Sequence, residues 1–162
     1  MESARIAALT SMGVPGRQSA MTRILIADDH DGTRAVLRVL LQQHAGWEIC
    51  GEASTGSEAL QKTIELNPDV LVKDWVMPGM DSLELTSQIS KLSPDTAVVI
   101  FSFHDLPKLE SLAKAAGVQA VATKDLSSLI TAIEGVEHHS ANRLFAKRLA
   151  TKPTLANTGD VD

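Results

Sequence analysis

Five polar residues directly follow or end short apolar segments of the chain, and their chemical types suggest a shared site. The acids are Asp28 and Asp29 after RILIA and Asp74 after DVLVK, while Ser102 ends TAVVIFS and Lys124 ends QAVATK. Each one alone has an ordinary structural explanation, because acids favour helix starts, serine caps helices and a terminal lysine reaches solvent. Their common position at the ends of apolar segments makes a shared site the stronger interpretation.

The three acids of this set predict a divalent cation. Three carboxylates that converge repel one another unless a cation lies among them, and an all-oxygen ligand set selects a hard ion such as Mg²⁺. Mg²⁺ commonly bridges protein carboxylates to a phosphate, and a nearby lysine and hydroxyl would complete the contacts to its oxygens. Because an aspartate can act as the nucleophile in phosphoryl transfer, the set favours phosphoryl acceptance on Asp74.

The elements that would bring these residues together follow from a repeated alternation between residues 22 and 139. Apolar segments typical of strands alternate with segments of helical periodicity. Parallel strands buried on both faces need such helical crossovers, and polar chemistry collects at the carboxyl ends of their strands. The pattern predicts an α/β fold, a doubly wound (βα)5 arrangement with a five-stranded parallel sheet. The strands are expected at 23–28, 47–54, 69–74, 96–102 and 119–124, and the helices at 33–45, 56–68, 81–92, 105–117 and 125–139.

Composition argues against several classes of partner. The 162 residues carry a formal net charge of −5, which gives no basic field for nucleic acid or an anionic membrane. No apolar run approaches the roughly 18 residues that a membrane span needs, and residues 1–20 lack the apolar stretch of a secretory signal. Cys50 is the only cysteine of the chain, so an internal disulfide is impossible. These features predict a cytoplasmic protein with no direct contact to nucleic acid or membrane.

Four motifs in a fixed order resemble the receiver domains of bacterial two-component response regulators. They are the acid pair in ADD at 27–29, the sequence MPGMD three residues after Asp74, Ser102 at the end of the fourth strand, and the pair Lys124-Asp125. The resemblance covers residues 22 to about 139. It implies the flavodoxin-like strand order 2-1-3-4-5.

The resemblance also implies a ligand set. Asp74 would be the phosphoacceptor, and Asp28 and Asp29 would be the Mg²⁺ carboxylates. Asp74 itself and the backbone carbonyl of Val76 would be further ligands of the ion. His30, which follows the acid pair, is interpreted as a flanking residue without a catalytic role.

Lys124 and Ser102 would complete the site. The resemblance implies that Lys124 pairs with the phosphoryl oxygens and that the Ser102 hydroxyl moves toward the phosphoryl group on activation. The donor would be a sensor histidine kinase or a histidine phosphotransfer protein, and the signal would pass by docking to an output protein that the sequence does not name. Formation of a homodimer is a further alternative that the sequence leaves undecided. Such a protein is not a conventional enzyme, and its expected catalysis is limited to Mg²⁺-dependent self-phosphorylation and self-dephosphorylation.

Four residues depart from the receiver pattern. Val121 occupies the usual aromatic position three residues before the lysine, and Ser82 replaces the usual glycine after Met-Asp. Lys73 stands where an apolar or small residue is usual, and it is expected to reach the rim of the strand or find a carboxylate. Val76 offers no side chain to orient water, which predicts slow self-dephosphorylation.

These departures keep a second function class open. Val121 and Lys73 favour a phosphorylation-independent receiver that acts as a constitutive protein-interaction module, whereas the intact acid set favours the phosphoacceptor. An aspartate-nucleophile phosphatase would have a second acid two residues after the nucleophile, where this chain has Val76.

The two ends of the chain are expected to lie outside the domain. Residues 1–21 are predicted to be a flexible extension, because the Gly, Pro, Ser and Arg residues there favour disorder. Residues 140–162 are predicted to form a short linker-like helix and a disordered tail, with Leu144, Phe145 and Leu149 in the helical part. About 23 residues are too few for a helix-turn-helix output module, which needs roughly three helices.

Overall fold

A computed structural model of the chain describes residues 21–103 and 106–150, which form a five-stranded parallel sheet and five helices. The strand order is β2-β1-β3-β4-β5, so the predicted fold class and order are confirmed. Residues 1–20 of the extension predicted at 1–21, and residues 151–162 of the segment predicted at 140–162, lie outside the described residues. In chain order the elements are β1 (Thr22–Ala27), α1 (Asp31–Gln42), β2 (Trp47–Ala53), α2 (Gly56–Leu66), β3 (Val70–Lys73), α3 (Ser82–Leu92), β4 (Ala97–Ser102), α4 (Leu106–Ala116), β5 (Ala120–Thr123) and α5 (Leu126–Ala150).

The apolar core is divided by the sheet into two clusters. Successive residues of β1 belong to different clusters, with Ile24 and Ile26 in one and Leu25 in the other. The first cluster includes buried residues of α1 and α5, and the second includes buried residues of α2, α3 and α4. Burial on both faces explains why the strands read as continuous apolar runs instead of alternating ones.

Helix α5 is longer than the sequence pattern suggested. It does not end at residue 139 but continues to Ala150 without a break, for 25 residues. Residues 136–150 contain no glycine or proline and are rich in alanine, leucine, arginine and lysine, so nothing in the backbone chemistry stops the helix there. Neither α5 nor another helix in the described part of the chain combines the length and apolar character required to cross a membrane.

The register of the strands brings the polar residues to one edge of the sheet. Ala27 of β1 pairs with Lys73 of β3, so Asp28 and Asp74 follow the paired ends of neighbouring strands. Ser102 of β4 pairs with Thr123 of β5, the residue that precedes Lys124. The carboxyl ends of four strands therefore meet at this edge, as expected for a parallel sheet.

Candidate functional site

Lys124 connects the two most buried acids of this edge. Its Nζ lies 3.3 Å from Oδ2 of Asp28 and 3.5 Å from Oδ1 of Asp74. The side chains of Asp28, Lys124 and Asp74 are only 1%, 8% and 11% exposed. Because water screens this cluster poorly, its charges interact more strongly than those of surface ion pairs. One ammonium thus holds together two carboxylates that come from different strands.

Asp74 is fixed by its own backbone as well as by Lys124. Its N–H donates to the carbonyl of Ala27 at 2.9 Å, and its Oδ1 accepts from the N–H of Trp75 at 2.8 Å. Burial raises the pKa of the Asp74 carboxyl; the Lys124 charge opposes this rise and the Asp28 charge adds to it. The ionised form of Asp74 is therefore held at an energetic cost that a further cation would relieve.

Asp29 and His30 complete an acidic cluster around Asp28. One ligand atom from each of these three residues lies within 4.8 Å of the others. The backbone N–H of His30 donates to Oδ1 of Asp28 at 2.8 Å, and its Nδ1 lies 2.9 Å from Oδ1 of Asp29. His30 thus contacts both acids. The sequence indicated His30 only as a flanking residue and did not predict these contacts. The signal in the sequence was its position directly after the acid pair.

The donor chemistry of the edge fits a divalent cation. The carboxylates of Asp28, Asp29 and Asp74 set against the ammonium of Lys124 leave a formal charge of −2, which is the charge a divalent cation would balance. Carboxylate oxygens are the ligands that Mg²⁺ prefers.

An open cleft beside these groups offers space for an ion and a phosphoryl group. The cleft has a volume of about 480 Å³, and its lining includes Asp29, Asp74, Val76 and Lys124. Ser102 is fully buried at the end of β4 and is not part of that lining. The sheet thus brings Asp29, Asp74 and Lys124 to one cleft, whereas Asp28 is buried against Lys124 and Ser102 is buried at the end of β4.

Lys73 is buried in the protein interior, so the expectation that it reaches the rim is wrong, and its ammonium forms no ion pair with a carboxylate among residues 21–103 and 106–150. Its side chain is 1% exposed, and its ammonium donates to the backbone carbonyl of Asp74 at 2.9 Å and to the hydroxyl of Ser82. Burial lowers the pKa of Lys73 to about 8, although the charges of Asp74 and Asp81 oppose that change. Because the strand places Lys73 on the face opposite the Asp74 side chain, the ammonium contacts the backbone carbonyl of Asp74 and not its carboxylate.

The loop between β3 and α3, residues 74–81, is anchored at its middle by α2. The N–H of Gly56 donates to the carbonyl of Pro78 at 2.9 Å, and the hydroxyl of Ser57 donates to the carbonyl of Gly79 at 3.1 Å. Gly79 has a φ of +90°, a conformation that favours glycine. At the end of the loop, Asp81 caps α3 by accepting from the N–H groups of the second and third residues after it.

The region around Val121, where receivers usually have an aromatic residue, is open to solvent. Val121 is only partly buried in β5 and lines a surface cavity of about 490 Å³ together with residues of α4 and α5. Neither Val121 nor its neighbours Ala120 and Ala122 supply an aromatic ring to this cavity.

Residues 24–134 match the family model described as the response regulator receiver domain. Among curated proteins, the response regulator GacA of Pseudomonas viridiflava is 34% identical over 137 residues, which cover 83% of this chain and 63% of that protein. The transcriptional regulatory protein LiaR of Bacillus subtilis (strain 168) is 43% identical over 90 residues, which cover 55% of this chain and 43% of that protein. The aligned segments thus span about half the length of these relatives.

Solved structures agree with this similarity. A DNA-binding response regulator of the LuxR family from Staphylococcus aureus is 29% identical, with a TM-score of 0.67, and the match covers 72% of this chain and 98% of that one. The response regulator domain of Thermotoga maritima CheB is 27% identical, with a TM-score of 0.65, and the match covers 75% of this chain and 97% of that one. With more than half of its residues matched by the family model, the chain belongs to the response regulator receiver domain family.

Proposed function

We propose that the chain accepts a phosphoryl group on Asp74 and that this modification changes its affinity for a partner protein. The observation that carries the proposal is the position of Lys124 between the buried carboxylates of Asp28 and Asp74. An oxygen of Asp74 attacks the phosphorus of a phosphohistidine, so that an O–P bond forms while the P–N bond breaks. The imidazole nitrogen leaves with the bonding electrons and takes up a proton.

Some residues of the cleft would neutralise the charge of the phosphoryl group, and others would orient the reacting atoms. Asp28, Asp29, Asp74 and the carbonyl of Val76 would hold Mg²⁺, which when bound neutralises the negative charge that phosphoryl transfer brings together. Lys124 already faces Asp74 and would pair with the phosphoryl oxygens. The Trp75 N–H orients one Asp74 oxygen and leaves the other for attack on phosphorus.

Two residues would govern what happens after transfer. The buried hydroxyl of Ser102 would move toward the phosphoryl group and report its presence to the far side of β4. The Val76 side chain is exposed at the cleft and cannot form a hydrogen bond with an attacking water. Self-dephosphorylation would therefore be slow, and the signal correspondingly long-lived.

The partners follow from this chemistry. A sensor histidine kinase or a histidine phosphotransfer protein would supply the phosphoryl group in the cytoplasm, and an output protein would bind the phosphorylated form. With a net charge of −5, the chain is not proposed to bind nucleic acid directly. Small phosphodonors would substitute for the kinase, because the receiver supplies the catalytic groups itself.

Intact-mass measurement after incubation with Mg²⁺ and acetyl phosphate tests the proposal. The wild-type protein is expected to gain one phosphoryl group, and the Asp74→Asn variant none. Asp95→Asn is the matched control, because Asp95 is exposed in the loop before β4, at the opposite edge of the sheet. Equal labelling of wild type and Asp74→Asn would place the phosphoryl group elsewhere and end the assignment to Asp74.

Val121 supports a second candidate, a phosphorylation-independent receiver that binds its partner constitutively. Val121 lines an open cavity with residues of α4 and α5 and has no aromatic ring that could couple the cleft to the surface of these helices, which supports this alternative. A folded wild-type protein that gains no mass and also fails to bind beryllofluoride would favour this second function.

A further inference from the structure

Two residues that depart from the receiver pattern contact one another. Lys73 replaces an apolar or small residue before the phosphoacceptor, and Ser82 replaces a glycine nine positions later. In the structure the Lys73 ammonium donates a hydrogen bond to the Ser82 hydroxyl. Because a buried ammonium is costly without hydrogen-bond partners, this contact gives both departures a common explanation.

The same ammonium binds the backbone of the phosphoacceptor. Lys73 Nζ lies 2.9 Å from the carbonyl oxygen of Asp74, while the N–H of Asp74 donates to Ala27 at 2.9 Å. The Asp74 residue is thus held at its N–H by β1 and at its carbonyl by Lys73. With Lys73 only 1% exposed, water competes little for these hydrogen bonds.

These contacts join the two ends of the β3–α3 loop. Asp74 begins the loop and Ser82 begins α3, and α2 anchors the middle of the loop at Pro78 and Gly79. Val76, whose carbonyl is one of the ligands proposed for the ion, lies in the part of the loop between Asp74 and the α2 anchor. The path of this short segment therefore depends on how firmly its first residue is fixed.

We propose that Lys73 is a positioning residue that fixes Asp74 for phosphoryl acceptance by bridging its carbonyl to Ser82. This Lys73 bridge, the two hydrogen bonds from its ammonium, rests on the function proposed above. Lys73 does not touch the phosphoryl group; it acts through the backbone of Asp74. Phosphoryl transfer depends on positioning to within fractions of an ångström, so loosening the bridge should slow the reaction without removing the nucleophile.

Two variants test the Lys73 bridge by removing different parts of it. Lys73→Met keeps a similar volume and removes both hydrogen bonds, whereas Ser82→Ala removes one hydroxyl. At saturating Mg²⁺ and acetyl phosphate, the maximal rate of mass gain should fall about tenfold in Lys73→Met and about threefold in Ser82→Ala. The acetyl phosphate concentration for half-maximal rate should stay unchanged, because the cleft that binds the donor is intact.

Matched variants separate positioning from general stability. Ser82→Thr keeps the hydroxyl and is expected to restore the wild-type rate. The double variant, Lys73→Met with Ser82→Ala, should be no slower than Lys73→Met alone, because the Ser82 hydroxyl acts only through the Lys73 ammonium. Lys91→Met makes the same substitution at an exposed position at the other end of α3 and should leave the rate unchanged. Circular dichroism establishes that each variant is folded.

Several outcomes would overturn the Lys73 bridge. The first is a wild-type maximal rate in a folded Lys73→Met or Ser82→Ala variant. The second is a double variant whose loss of rate equals the combined losses of the two single variants. The third is a Ser82→Thr variant that is as slow as Ser82→Ala. If Lys73→Met does not fold, Ser82→Ala and Ser82→Thr decide the question alone. A folded wild-type protein that gains no phosphoryl group would refute the proposed function and the bridge with it, whereas a labelled wild type with unaffected variants would refute the bridge only.

Discussion

The free energy of unfolding should respond to pH differently in the wild-type protein and in a Lys73→Met variant. Burial lowers the pKa of Lys73 from the ordinary 10.5 to about 8. Below pH 8 the side chain is charged in both states, and the folded protein carries the full cost of burying that charge. Between pH 8 and 10.5 the folded protein releases the proton while the unfolded chain keeps it, so wild-type stability rises with pH relative to the variant.

The size of this rise follows from the same two pKa values. Each pKa unit corresponds to about 1.4 kcal/mol, so a pKa lowered from 10.5 to about 8 corresponds to about 3.5 kcal/mol in total. Of this, about 2.5 kcal/mol is gained between pH 7 and pH 10, because the folded protein is almost fully deprotonated at Lys73 by then and the unfolded chain is not. Methionine cannot titrate and lacks this contribution.

Urea unfolding followed by circular dichroism at four pH values from 7 to 10 measures the effect. Wild type should gain about 2.5 kcal/mol over Lys73→Met across this range. The Lys91→Met variant, measured in parallel, makes the same substitution at an exposed position. A constant difference between wild type and Lys73→Met would refute the reasoning, since it would mean that the buried ammonium keeps the pKa of a free lysine.

Three further predictions concern Lys124, the cap of α3 and a close contact of Gly56. Lys124→Met should raise the pKa of Asp74 further, because Lys124 opposes the effect of burial, and a carboxyl NMR titration that shows no rise would contradict this. Asp81→Ala should destabilise the protein by about 1 kcal/mol, since it removes the cap of α3, and an unchanged urea midpoint would speak against it. Gly56→Ala should cost about 1 to 3 kcal/mol in urea unfolding, because a Cβ there would lie 2.8 Å from Cβ of Met80. Gly135→Ala, whose Cβ meets nothing within 4 Å, should instead stabilise α5 by up to about 1 kcal/mol, and equal effects would exclude the steric cause.

The fold was readable from the sequence because the apolar runs and the helical periodicity agree with each other along the whole domain. The segment ILIA at residues 24–27 is apolar at every position, which fits a strand covered on both faces and argues against a sheet with one face exposed to solvent. The end of α5 was not readable in the same way. The predicted stop at residue 139 followed a pair of histidines, whereas the helix continues to Ala150 because no backbone signal ends it.

The residues that make up the site could be predicted from the sequence, but several of their contacts could not. The carboxyl ends of parallel strands meet at one edge, so Asp28, Asp74 and Lys124 were predicted to converge, and their side chains do. The contacts of His30 depend on how the chain turns from β1 into α1, which periodicity does not specify. Its N–H folds back onto Asp28 within two residues, and this local turn places the ring against both acids.

The hydrogen-bond partners of Lys73 could not be predicted from the sequence, and the reason is physical. A lysine at the end of an apolar strand is visible as an anomaly, but its partner lies nine residues away, across a loop whose path α2 fixes through Pro78 and Gly79. Neither residue explains the other until that path is known. Since a buried ammonium without acceptors is costly, a receiver with lysine at this position is expected to carry a hydroxyl at the position of Ser82. In a receiver with glycine there, one hydrogen bond of the ammonium is lost, and the lysine should destabilise the fold.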